Sequence, residues 1–300
     1  MEEAKKPNIF LAKLKGYFKL LRVHHYLKNV LVVVPLICAH LMFDLNAWLA
    51  IIPGIVAFCL LSSAIYVIND LKDKEKDKNH PKKCHRPLAS GVVSVPEAII
   101  LFVILLGLTA LFNFLTKANY ISWIFLGAYL IINIAYSLGL KRIPIVDIFL
   151  LSSGFFIRLY YGSVVVNVVV SNWLYLTVVM FSLYFGLGKR RNELQQLKDN
   201  DTRDVLKGYN YLFLDKLMYV CLAVGLVFYS LWCVDETTVA SLNNRIIWTI
   251  PFVVAIAMKY SLDIERGDSD GDPIEVVMHD KFLLIGAALF CVCFLLLMYL

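Results

Sequence analysis

Charge is scarce in this 300-residue chain: Asp, Glu, Lys and Arg make up 17%, against 60% hydrophobic residues and a mean hydropathy of +0.70. That scarcity excludes a soluble globular domain of this length and leaves a polytopic helical membrane protein. Paired cysteines are missing too. The seven cysteines are an odd number, and all but Cys84 fall in apolar runs. With no disulfide framework and no paired zinc spacing, they read as small buried hydrophobes. His80, Cys84 and His85 hint at a metal clip, but one thiol beside two histidines with no second cluster is a weak zinc signal. No small-residue cleavage site follows the first apolar run, which argues against a cleaved signal peptide. In the polar loop over 265–280, Asp268 to Asp272 resemble part of a calcium loop, yet the ligand series is incomplete.

What is present is a succession of apolar runs long enough for a ~30 Å hydrocarbon core. About nine are expected, over roughly 28–43, 49–71, 95–116, 119–138, 145–166, 172–189, 211–234, 243–262 and 281–300. The net charge of +6 is unevenly placed. One set of segments holds the amino terminus, the lysines of 72–94, Lys141 and Arg142, 189–207, Arg266 and Lys281. The alternate set holds little more than Asp44, Lys117, Asn172, Asp235, Glu236 and Arg245. By the positive-inside rule the first set is cytoplasmic, which puts the amino terminus in and the carboxyl terminus out of a cell (inner) membrane. Residues 1–27, with Phe10, Leu14, Tyr17, Phe18 and Leu21 at helical spacing among lysines, suit a basic amphipathic helix on the inner leaflet. The expected fold is all-α: one transmembrane domain over 1–300, with 72–94 and 189–210 as cytoplasmic loops.

The densest polar motif follows the second span: Asn69-Asp70-Leu71-Lys72-Asp73, continuing to Asp77. On a helix Asp70, Asp73 and Asp77 fall within about 60° of one another, and Tyr66 shares that face. Three carboxylates at a membrane mouth repel unless a cation joins them, and hard oxygens a turn apart suit Mg²⁺. A solvated run of Asp–Lys pairs is the plain alternative. In the fifth span Asp147, Leu151, Gly154, Arg158 and Tyr161 share a face, with Arg158 about 16 Å along the helix from Asp147. A buried arginine faces a cavity or ties two helices together. Gly188 to Glu193 put Lys189, Arg190 and Glu193 at another cytoplasmic helix end, as a phosphate clamp or as membrane anchors.

Acids and cations on one membrane face suit a substrate carrying a diphosphate, with metal bridging acids to phosphate and Lys or Arg contacting the other oxygens. The apolar bundle would take a lipid tail. A metal-dependent transferase follows. An ion pathway would need acids near the midplane. A lipid-binding scaffold would leave three facing aspartates unexplained.

Asn69-Asp70-x-x-Asp73-x-x-x-Asp77 after an apolar span resembles the first aspartate motif of the UbiA superfamily of membrane prenyltransferases. The resemblance implies nine spans around a cytoplasm-facing, lipid-accessible cavity. The second DxxxD motif of that family is absent; Gly188-Lys189-Arg190-Arg191-Asn192-Glu193 stands there, with Asp201 and Asp204 at a different spacing. In that departure the chain is similar to one branch, the decaprenyl-phosphate phosphoribosyltransferases. Tyr26 to Asn29, His80-Pro81-x-Lys83-x-x-Arg86-Pro87, Tyr136-Ser137 to Lys141, Gly154 to Arg158 and Pro273 to Asp280 carry the likeness. It implies transfer of 5-phosphoribosyl from phosphoribosyl diphosphate to a polyprenyl phosphate. Asp73 and Asp77 would hold Mg²⁺, with Asn69 and Asp70 as ligands or beside it. Lys83, Arg86, Lys189 and Arg190 would bind sugar and diphosphate oxygens, and Glu193 a ribose hydroxyl. Lys28 and Arg158 would meet the lipid phosphate, with Tyr161 on the same substrate-binding face. The alternative is prenyl transfer from a prenyl diphosphate to an aromatic acceptor. Nothing points to nucleic acid, and a homo-oligomer is compatible with the pattern.

Overall fold

A computed structural model describes residues 9–79, 83–195, 204–242, 244–266 and 271–299. Among them there is no strand. Twelve α-helices follow in order: α1 (Ile9–Leu21), α2 (Val34–Cys38), α3 (Leu45–Lys78), α4 (Val95–Leu115), α5 (Ile121–Leu138) and α6 (Val146–Val166). Then come α7 (Asn172–Gln195), α8 (Tyr211–Val234), α9 (Glu236–Leu242), α10 (Ile250–Glu265), α11 (Pro273–His279) and α12 (Lys281–Tyr299). Short 3-10 helices over Val23–Val32, Lys83–His85, Leu140–Arg142, Asp204–Gly208 and Asn244–Thr249 join them.

Eight helical stretches are long and apolar enough to cross a membrane, against the nine expected. The ninth expectation is α7, a 24-residue helix packed between α6 and α8. Its composition falls short because its last two turns carry Gly188 to Glu193. The first span also differs. Instead of one helix over 28–43, the stretch Lys13–Cys38 is built from α1, the 3-10 helix and α2. The amino-terminal helix packs on the bundle: Leu20 is fully buried among Ala64, Val67, Leu88 and Ala98, and Lys13 reaches Glu97 at 2.6 Å. Phe18 and Leu14 on its other face stay exposed.

The largest correction concerns α3, which does not end at 71. At 1.5 Å per residue its 34 residues span about 50 Å, more than the hydrocarbon core, so its last turns stand clear of the membrane. Lysine and glutamate are good helix formers, and Glu75 pairs with Lys78 at 2.8 Å. The expected loop therefore begins as helix, and Asp70, Asp73 and Asp77 sit on one rigid rod. Two of the hydrophobic cores flank the site. One gathers Phe58, Leu61, Ile65, Leu126, Tyr129 and Ile157 from α3, α5 and α6. The other gathers Tyr184, Leu187, Leu214, Met218, Tyr260 and Ile264 from α7, α8 and α10. At Gly162 a side chain is impossible without movement, since a Cβ there would lie 2.0 Å from the Val32 carbonyl oxygen. That close approach seats the 3-10 helix against α6.

Candidate active site

The acidic end of α3 forms a rim of ion pairs. Arg86, just past the Lys83–His85 turn, donates to Asp77 at 2.7 Å and to Asp70 at 3.2 Å. Arg22 donates to Asp70 at 2.5 Å. Lys141 reaches both oxygens of Asp73 at 3.0 Å, and Ser137 donates to the Asn69 side-chain oxygen at 3.1 Å. Each carboxylate is thus paired with a cation, and Asp70 and Asp77 share Arg86. Among the described residues no group of three or more His, Cys, Asp or Glu gathers around one point. The donor set nonetheless fits Mg²⁺, which takes one or two carboxylates and completes its shell with water and phosphate. Arg86 bridges Asp70 and Asp77, so the positive charge these carboxylates require is supplied here by a guanidinium. Of the weaker sequence signals, His80, Asp201, Asp268 and Asp270 lie outside the described residues.

Beside the rim lies a cavity of about 240 Å³. Its walls follow from local geometry. At three residues per turn, side chains three apart on a 3-10 helix eclipse one another. His25 and Lys28 of the Val23–Val32 helix, and Arg22 that precedes it at φ +50°, therefore all face the cavity. An α-helix would fan them over about 120°. Tyr66 and Asn69 enter from α3, Tyr129, Asn133 and Tyr136 from α5, Gly154 and Arg158 from α6, and Lys189 and Arg190 from α7. Asn69 and Arg22 connect rim and cavity.

The cations differ in how they are held. Arg158 is buried and fully engaged, donating to Asn29 at 2.7 Å, to the Gly154 carbonyl at 2.6 Å and to Tyr129 at 2.7 Å. Its guanidinium also lies over the Phe58 and Tyr129 rings. It both ties helices together and adds positive charge to the wall. Arg190 is 1% exposed. It donates to Asp147 at 2.5 Å, to Tyr136 at 3.0 Å and to Glu193. Tyr209 donates to the other Asp147 oxygen at 2.5 Å. Burial and that carboxylate push the Tyr209 phenol above its ordinary value. Arg191 turns the other way, to Asp215, Glu265 and Tyr211, and fastens α7 to α8 and α10.

Of the residues expected at the site, the cavity brings together Lys28, Asn69, Arg158, Lys189 and Arg190. Asp70, Asp73, Asp77 and Arg86 form the adjoining rim. Lys83, Glu193 and Tyr161 do not line the cavity; Tyr161 lies fully buried with its hydroxyl donating to Asn113 at 2.9 Å. Sequence reasoning gave no role to Arg22, Lys141, Tyr209 or Asp272. Tyr209 carries no local signal, since its contact spans 62 residues. Asp272 accepts from Lys28 at 2.9 Å and from Lys189 at 3.2 Å. Burial works to raise its carboxyl, but Lys189 and Lys28 outweigh that and hold it well below the usual carboxylate range.

Residues 30–205 match the UbiA prenyltransferase family. The chain belongs to that family. Two similar proteins, each called decaprenyl-phosphate phosphoribosyltransferase, come from Corynebacterium glutamicum and Mycolicibacterium smegmatis. They are 32% and 31% identical, over 95% and 90% of this chain and 87% and 88% of their own. A UbiA homologue from Archaeoglobus fulgidus bound to GPP and Mg²⁺ shares the fold, with a TM-score of 0.67 at 18% identity over 95% of this chain and all of that one. As a UbiA member the chain is a membrane transferase. The UbiA match stops at residue 205, so α8 to α12 and Asp272 lie beyond it.

Proposed function

We propose that this UbiA-family transferase moves a 5-phosphoribosyl group from 5-phospho-α-D-ribose 1-diphosphate to a polyprenyl phosphate, in a Mg²⁺-dependent reaction. A phosphate oxygen of the lipid attacks C1 of the ribose as the bond from C1 to the diphosphate oxygen breaks. The products are polyprenyl-phosphoryl 5-phosphoribose and diphosphate. The observation that carries this reading is the cavity's wall: where the family's second acidic motif is expected, α7 presents Lys189 and Arg190, and Lys28 and Arg158 line the same cavity. Such a wall suits a substrate with phosphates at both ends better than a prenyl diphosphate, and the names of the two relatives support the same choice.

Asp73 and Asp77, with Asp70 and Asn69 beside them, would hold the metal, which supplies charge neutralisation of the departing diphosphate. Lys189 and Arg190 bind phosphate oxygens within the cavity, while Arg86 and Lys83 meet the diphosphate from the rim. Glu193, through Arg190, orients the guanidinium. Lys28 and Arg158 draw in the acceptor phosphate. That acceptor is already anionic near neutrality, so no general base is required. Protein incubated with radiolabelled phosphoribosyl diphosphate, polyprenyl phosphate and Mg²⁺ should yield lipid-extractable label. Folded protein that leaves the label aqueous, yet joins geranyl diphosphate to an aromatic acid, would replace this reading with prenyl transfer.

A further inference from the structure

The 265–280 stretch is polar, with an incomplete calcium-loop pattern, and the fold brings its Asp272 into the cavity wall. Asp272 caps α11, its Oδ1 accepting from the Ile274 N–H at 3.1 Å. Its Oδ2 accepts from Lys28 and Lys189, which lie 244 and 83 residues away in sequence. Two ammonium groups 2.9 and 3.2 Å from one oxygen are no more than about 6 Å from each other, close enough to repel in a half-buried site. A buried ammonium beside another ammonium gives up its proton or swings away unless a carboxylate compensates.

The carboxylate is fixed. Gly271, at φ +77°, lies so close to α7 that a Cβ there would come within 3.0 Å of Lys189 Cα and 3.1 Å of the Gly188 carbonyl oxygen. Tyr260 donates to the Gly271 carbonyl at 3.2 Å, and Pro273 opens the helix that follows. Asp272 itself is 4% exposed. A side chain gripped on both sides is a post, not a mobile stand-in that a substrate phosphate pushes aside.

We infer that Asp272 is a positioning residue that gathers Lys28 and Lys189 into a single charged anion clamp, so that the carboxyl-terminal third of the chain completes the site. The inference deepens the function proposed above by saying what keeps two of its cations charged and in place. Its test uses inorganic diphosphate as probe, with divalent metal chelated, on the full chain in detergent, read by calorimetry. Asp272→Asn is the informative change, because asparagine caps a helix as well as aspartate and a thermal melt checks that the fold survives. The wild type should bind, and Asp272→Asn should bind about tenfold more weakly. In a Lys28→Ala background the same change should cost less than about threefold, because the residue acts through that lysine. Unchanged or tighter binding by Asp272→Asn would make the carboxylate a bystander or a competing anion and overturn the clamp. So would losses that multiply independently, or a wild type that binds no diphosphate. A chain that shows the expected cycle but transfers no phosphoribosyl group would leave the clamp standing and remove the function.

Discussion

At the scale of single residues, the cavity depends on charges taken out of water in matched sets. Arg190 and Asp147 are 1% and 0% exposed, and removing one partner of a buried ion pair leaves the other uncompensated. Asp147→Asn should therefore lower stability by about 3 kcal/mol, the low end for such losses because Glu193 remains. Tyr209→Phe, which removes one donor to the same carboxylate, should cost about 1 to 2 kcal/mol. Thermal melts in detergent check that order, and equal midpoints for both variants and wild type would show the pair to be solvated. Asp272 gives a pH signature. Its folded value lies below the ordinary 3.8, so its contribution is complete above that value and fades as pH falls through the lower one. The stability gap between wild type and Asp272→Asn should stay level from neutrality to about pH 4 and close below it. For the transfer reaction, Asp73→Asn and Lys189→Ala should each cut lipid labelling about 100-fold or more with the fold intact. A wild-type rate in either variant removes that residue from the site.

At the scale of elements, what could be read beforehand follows from how each element signals itself. The α4 and α8 boundaries were legible as the ends of apolar runs, and the structure shows caps at both starts: Ser94 with Glu97 forms a capping box, and Asn210 accepts from the Leu212 N–H. The extension of α3 was not legible, since alternating Lys, Asp and Glu serve a helix and a solvated loop equally well. The 3-10 winding of Val23–Val32 was not legible, because Val23, Tyr26, Leu27, Val30 and Leu31 keep an α-helical period; the segment packs between α3 and α6. The acids were found as a group, but not their partners. Arg22 and Lys141 meet Asp70 and Asp73 across 48 and 68 residues, and such pairings are fixed by packing. Gly162 tests the contact that seats the 3-10 helix on α6. With a Cβ placed 2.0 Å from Val32 O, Gly162→Ala must push the 3-10 helix off α6. It should destabilise by about 1 to 3 kcal/mol. Because His25 and Lys28 ride on that helix, it should also weaken diphosphate binding, whereas Gly127→Ala, with open space around it, should do neither.

At the scale of the whole molecule, the question is how many times the chain crosses. Outward-facing Ile100, Val103 and Phe114 on α4, and Phe282, Ile285 and Val292 on α12, make an apolar girdle that only lipid or another protein would cover. Eight stretches meet the length and hydropathy that spanning requires, and eight crossings would return the carboxyl terminus to the side where the chain began. The packing argues for nine. α7 runs 24 residues between α6 and α8, with Leu174 and Thr177 buried near one end and Arg190 and Asn192 near the other. Its low hydropathy comes from the clustered charges of its last turns, and those charges are held by Asp147, Glu193, Asp215 and Glu265, so they do not oppose insertion as free charges would. Counted with α7, an odd number of crossings would separate the termini, as the positive-inside rule expects from the lysine-rich amino-terminal segment. A green fluorescent protein fused to the amino terminus should therefore glow, and one fused to the carboxyl terminus should stay dark. Alkaline phosphatase, active only outside the cytoplasm, should report the reverse pattern. Fluorescence at both ends would mean that α7 does not cross, and the cationic wall of the cavity would then need a different account.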